Sequence, residues 1–327
     1  VLDRLLEDEG IVPAGVSGTS AGALNAAVMA TGWAEGGRAG ARAALRAFWL
    51  DVATTHTPYG GCFGAWSQPA VGPGRLQPGR QPVLRLGPAV PACLQPLPVQ
   101  PGWQQPLARG AGKTRAAAGL QSGPLSLFIT ATAVRSGQPR VFDKHDLSID
   151  ALLASACLPQ IFRAVEIDGE PYWDGGYTGN PALWPLIYHS QALDVLLIKI
   201  NPLHRPGTPD TPAEIADRVN EITFNASLVG EMRAIAFVQR LLQEGRVDPG
   251  EYKNLRLHMV ADDAGLAPLQ ASSKMNTDRP SWKRCTHWAA APRTLAGGAP
   301  CRPGPAFFTG PARRTSGATC RPSPPAA

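Results

Sequence analysis

Residues 15–28 read GVSGTSAGALNAAV, and inside them Gly18-Thr19-Ser20-Ala21-Gly22 forms a G-x-S-x-G. Two readings of Ser20 compete. Serine is a preferred helix N-cap, because its hydroxyl accepts from the free N–H groups of a first turn. The same five residues between a strand and a helix would form a nucleophile elbow, with the serine hydroxyl projecting from a tight turn. The flanks fit the second reading. The apolar run IVPAGVSG (11–18) predicts a buried strand, and SAGALNAAVMAT (20–31) predicts a helix rich in small residues. Gly18 would permit the tight approach and Gly22 the close packing of the following helix. Ser20 would then lie at a helix N-terminus, where the dipole favours developing negative charge.

A serine hydroxyl needs a base to become a nucleophile. Residues 172–181, YWDGGYTGNP, offer Asp174 followed by Gly175 and Gly176. Asp-Gly-Gly at a strand end is also an ordinary turn sequence. His189, His204 and His258 all follow Asp174, so the order Ser-Asp-His of a triad stays open.

Outward from these motifs the chain alternates buried strands with helices, which predicts an α/β layered fold with a mainly parallel sheet. VLDRLLEDEG (1–10) reads as an amphipathic helix closed by Gly10, and ARAALRAFWLDVA (41–53) as another helix. LSLFITATAV (125–134) predicts a strand, IDALLASACLP (149–159) a short helix, and AVEIDGEPYWDGGY (164–177) a hairpin turning at Asp168-Gly169. ALDVLLIKIN (192–201) reads as a strand buried on both faces. Thr211, Pro212 and Glu214 form a capping box that opens a long helix. Ile215, Val219, Ile222, Val229, Met232 and Val238 are its expected packing stripe, and LRLHMV (255–260) is a last strand.

The chain has 327 residues, 44% hydrophobic and 17% charged, enough for one large core or two domains. Its formal charge of +6 would suggest a nucleic-acid partner. The distribution argues against one. Residues 61–120 hold 6 Lys or Arg and no acid, and the chain after Asp278 holds 8 and again no acid. Setting those aside leaves 17 basic residues against 25 acidic ones, so the remainder is acidic. Five of the 6 cysteines also fall in those segments, and only Cys157 lies elsewhere. No Cys/His spacing matches a zinc site, and a disulfide framework is not expected in a chain of this length. The expectation is a cytoplasmic protein with no metal and no organic cofactor, lacking a signal peptide or transmembrane segment.

The motif pair GTSAG and DGG, about 150 residues apart, resembles the patatin-like phospholipase family. LFITATAVRSGQPRVF, LLASACLPQIFRAVEIDGEPYWDGGYTGNPALWPLI and FNASLVGEMRAI resemble its bacterial members as well. The resemblance covers about residues 1–60 and 121–277. It implies a three-layer fold with a central, mainly parallel sheet flanked by helices. It also implies a catalytic dyad of Ser20 as nucleophile and Asp174 as proton acceptor, without histidine. Gly18, Thr19, Ala21, Gly22, Gly175 and Gly176 are the matching motif positions. The implied chemistry is hydrolysis of a lipid acyl ester through an acyl-enzyme, with peripheral membrane contact through the substrate. A carboxylate is a weak base in water, so the dyad needs a partly desolvated site; LLASACLP and IFRAV either help to line it or are simply core.

The chain also departs from the family. The glycine-rich oxyanion loop that precedes the first helix has no counterpart in a sequence opening at Val1. Oxyanion donors are a large catalytic contribution, so an impaired remnant of the family is the alternative reading. Residues 62–120 and about 279–327 lack acids and periodicity and are rich in Pro, Arg, Gly and Ala, the texture of a high-GC gene read out of frame. The expected organisation is a hydrolase domain over 1–277, with 61–120 as an atypical insert, followed by a disordered tail over 278–327.

Overall fold

The computed structural model describes residues 1–54, 120–121, 123–159, 162–262 and 266. The expected insert over 61–120 and the tail over 278–327 lie outside the described residues, apart from Leu120.

A five-stranded sheet contains β1 (Gly15–Thr19), β2 (Ser126–Ala133), β3 (Pro139–Phe142), β4 (Val165–Ile167) and β5 (Glu170–Asp174). Its strand path is β1-β2-β5-β4, with β3 also paired to β2. β1 and β2 run parallel, with Thr19 opposite Thr130. β5 runs antiparallel to β2, with Asp174 opposite Ala131. A second, parallel pair joins β6 (Asp194–Ile198) to β7 (Arg256–Val260). The fold is therefore mixed α/β, parallel in two strand pairs and antiparallel around β3, β4 and β5. β4 and β5 form the expected hairpin, and Asp168 and Gly169 at its turn both have positive φ, 51° and 77°.

Five helices accompany the strands among the described residues: α1 (Leu2–Leu5), α2 (Ala21–Thr54), α3 (Ile149–Ser155), α4 (Trp184–His189) and α5 (Pro212–Gln243). α1 is shorter than the amphipathic run suggested, and its C-cap is Leu6, not Gly10. Residues 8–10 form a turn instead, with the Gly10 N–H donating to the Asp8 carboxylate at 2.9 Å. The helices expected at 20–31 and 41–53 are two arms of α2. They are separated at Gly36 and Gly37, where Gly37 takes φ +59°, and they pack back on each other. A Cβ on Gly40 would stand 2.3 Å from the Gly32 carbonyl oxygen, so this crossing admits only glycine. Arg42 and Arg46 bind Asp3, and Arg42 also binds Glu7, tying α1 to the second arm.

One apolar cluster joins the first arm of α2 (Leu24, Met29) to β2 (Leu127, Ile129) and α3 (Leu152). A second joins Leu183, Val195, Leu197, Leu228, Ile235 and Leu255. Two expectations change here. β6 is not buried on both faces: Val195 and Leu197 are buried while Asp194, Leu196 and Ile198 are half-buried, and Ile200 beyond it is exposed. It lies in a two-stranded sheet and turns one face to the second cluster. On α5 the capping box is present as expected, but of the expected stripe Ile215, Val219 and Ile222 are about half exposed, while Met232 packs against the second cluster. The buried face is the one carrying Glu221, Phe224, Asn225, Leu228 and Ile235. Its polar members are satisfied: Glu221 receives Arg205 and Arg218, and Asn225 donates to the Pro202 carbonyl. A stripe drawn from apolar residues alone misses a buried face that carries an ion pair.

Candidate active site

Ser20 stands between the last residue of β1 and the first of α2, half-buried, with φ +55°. A capping serine keeps β-region dihedrals. A non-glycine residue with positive φ is instead strained, by roughly 1–3 kcal/mol, and persists only where its surroundings impose it. Its carbonyl accepts from Leu24 N–H at 3.2 Å, so α2 begins at once from this turn. The strand-turn-helix geometry matches the elbow reading of the opening motif. Gly18 is the steric key to it. A Cβ there would lie 2.6 Å from the Gly22 carbonyl oxygen and 2.9 Å from the Ala23 nitrogen. Gly22, expected to allow close helix packing, is exposed and has nothing within 4 Å of its would-be Cβ. The tight contact is made by its backbone against Gly18.

Asp174 ends β5 and is fully buried. Its N–H donates to the Cys157 carbonyl at 2.8 Å, and its own carbonyl accepts from the Thr132 hydroxyl at 2.8 Å. One carboxylate oxygen accepts from Gly176 N–H at 2.7 Å, an aspartate turn that opens the 3₁₀ turn Gly175–Tyr177. β1 and β5 flank β2 from opposite directions and end at neighbouring levels of it, Thr19 opposite Thr130 and Asp174 opposite Ala131, on strands about 10 Å apart.

The loop after Asp174 closes over that gap. Thr19 donates its hydroxyl to the Gly179 carbonyl at 2.7 Å, and Ser17 donates to the Ala182 carbonyl at 2.5 Å. Behind the loop stands α5. Phe224 meets Tyr177 edge to face at 5.0 Å, and its ring fills the space where a Gly176 Cβ would go. Asn180 donates to the Phe224 carbonyl at 3.0 Å, and Glu231 accepts from Leu183 N–H (2.7 Å) and Trp184 N–H (2.9 Å). Burial raises the Glu231 pKa, against the lowering effect of those two N–H groups. Burial also pushes the Cys157 thiol up to about 11, with a further contribution from the Asp174 charge.

The structure brings together every residue the motifs singled out: Gly18, Thr19, Ser20, Ala21 and Gly22 on one side of β2, and Asp174, Gly175 and Gly176 on the other. The histidines fall elsewhere. His258 bonds Asp194 at 2.9 Å on the β6–β7 pair, His189 stacks on Phe128 at the end of α4, and His204 follows β6. Sequence reasoning gave no role to Ser155, Thr130 or Phe224, which buttress the two turns. Ser155 stood in a run of small residues at a helix end, and that was its only signal. Leu152, in one of the two runs that either line the site or are core, belongs to the apolar core. Among the described residues no cluster of His, Cys, Asp and Glu could hold a metal ion, and no helix is long and apolar enough to cross a membrane.

A strained serine turn and a buried aspartate loop thus lie on either side of one strand of an α/β sheet. Residues 1–187 match the family model for patatin-like phospholipases. The chain belongs to that family, a family of lipid acyl hydrolases. No curated protein gives a significant match.

Proposed function

We propose that the chain is a serine acyl hydrolase acting on lipid acyl esters. The Ser20 hydroxyl oxygen attacks the ester carbonyl carbon while its proton passes to the Asp174 carboxylate. The tetrahedral intermediate collapses, and the departing alkoxide leaves with that proton as the alcohol. Water then attacks the acyl-serine, with Asp174 again taking the proton, and the fatty acid departs as Ser20 is restored. No metal or organic cofactor is needed for either half-reaction. Residues 1–277 are the proposed hydrolase domain, and contact with a membrane is peripheral, through the substrate.

The observation that carries this reading is the strained φ of +55° at Ser20, on a turn whose neighbours are clamped to the loop of Asp174. The test is turnover of a soluble nitrophenyl acyl ester and of phospholipid vesicles. Ser20→Ala is expected to fall to background. Asp174→Asn is expected to lose on the order of 10²–10⁴ in kcat, the range for a positioned proton acceptor. Turnover unchanged in Ser20→Ala overturns the proposal.

A further inference from the structure

Ser155 ends α3 with no exposed surface. Its hydroxyl donates to the Thr130 carbonyl at 2.7 Å and accepts from the Ser20 N–H at 2.9 Å. A serine hydroxyl has one proton. With that proton fixed on Thr130, the oxygen can only accept towards Ser20, so the two bonds orient each other. Thr130 is also the residue opposite Thr19 in the β1–β2 ladder. The Ser20 turn is therefore tied to one residue of β2 twice, directly through Thr19 and through Ser155.

We infer that Ser155 is a positioning residue for the Ser20 nucleophile, an inference that rests on the hydrolase reading above. The turn at φ +55° relaxes unless something restrains it. The described bond to the Ser20 amide comes from Ser155, on a helix packed against β2 and separate from the motif itself. Removing the hydroxyl frees the amide and leaves the Thr130 carbonyl buried without this donor. The nucleophile then drifts from its productive position, and a misplacement of about 1 Å is enough to lose about 10²-fold in rate. The acyl group is still admitted, so the loss falls on kcat.

The experiment combines amide hydrogen exchange with kinetics on wild type, Ser155→Ala and Ser155→Cys, which is nearly isosteric and a weaker acceptor. Leu152→Val on the same helix is the control for lost stability alone. The Ser20 amide is expected to be protected in wild type as well as the Leu24 amide is. In Ser155→Ala its protection is lost while that of Leu24 persists, and kcat falls by about 10²-fold with KM little changed. Ser155→Cys is intermediate, and Leu152→Val lowers Tm without moving the Ser20 amide or kcat. A Ser20 amide that exchanges freely in wild type overturns the inference without needing any variant to fold. So does a Ser155→Ala protein that matches Leu152→Val in both readouts. If the wild type shows no esterase turnover, the hydrolase reading fails, and the exchange results still decide whether Ser155 holds the turn.

Discussion

Gly175 lies flat against Thr19: a Cβ built on it would stand 3.0 Å from the Thr19 methyl and 2.0 Å from the Thr130 carbonyl oxygen. The residue after Asp174 thus touches the residue before Ser20, with the backbone of β2 between them. Gly175→Ala cannot be absorbed by a side-chain rotation, because the clashing atom is a backbone oxygen. We expect it to cost on the order of 1–3 kcal/mol or more in stability and to abolish turnover. Gly22→Ala, at a position with open space around the new methyl, is expected to keep its Tm. Thermal melting of the two variants checks the contrast. Equal losses would mean that the two loops are not in contact.

The elbow and the aspartate turn were legible because each is a local pattern of glycines around one reactive residue. Gly18, Ser20 and Gly175 announce themselves by residue type. Their support was not legible for the opposite reason. Ser155 is one small residue among several in LLASAC, and only its position against Thr130 gives it a role. The face of α5 was misread because apolar periodicity favours Ile215, Val219 and Ile222. The buried side instead holds Glu221 and Asn225, paired with residues of the preceding loop. Tertiary pairing of charged groups leaves no trace in a single helix's pattern. The same holds for the turn-back of α2: two helices were expected at 20–31 and 41–53, but the break at Gly36 and Gly37 and the contact of Gly32 with Gly40 needed the structure.

Glu231 gives the fold a pH dependence. Burial raises its pKa in the folded state above the ordinary 4.5. The native protein then holds a proton that the unfolded chain has already released. This contribution to stability is fully present below the unfolded value and is lost as pH rises through the folded value. Glu231→Gln keeps an acceptor for Leu183 and Trp184 and removes the ionisation. The Tm of wild type is expected to fall relative to Glu231→Gln between pH 4.5 and neutrality. A difference that is constant across that window contradicts the assignment. Glu231→Ala, which strips both N–H groups of their acceptor, is expected to cost about 1–3 kcal/mol at either end.

Cys157 sits beneath the aspartate turn with its thiol donating to the Arg163 carbonyl at 3.0 Å. With its pKa near 11, almost none of it is thiolate at pH 8. Iodoacetamide is therefore expected to spare the Cys157 peptide in the native protein and to modify it after denaturation. Mass spectrometry of the digested protein reads this residue separately from the other cysteines. Alkylation of Cys157 in the native state at the denatured rate would mean that the Asp174 turn is open to solvent.

The pairing of Ser20 with Asp174 is tested most directly by intact mass after treatment with a fluorophosphonate, which reacts with an activated serine and needs no knowledge of the lipid. The expected result is one adduct per chain on Ser20, none in Ser20→Ala, and labelling slowed by about 10² or more in Asp174→Asn. Labelling that survives Ser20→Ala, or that proceeds in folded Asp174→Asn at the wild-type rate, contradicts the pairing.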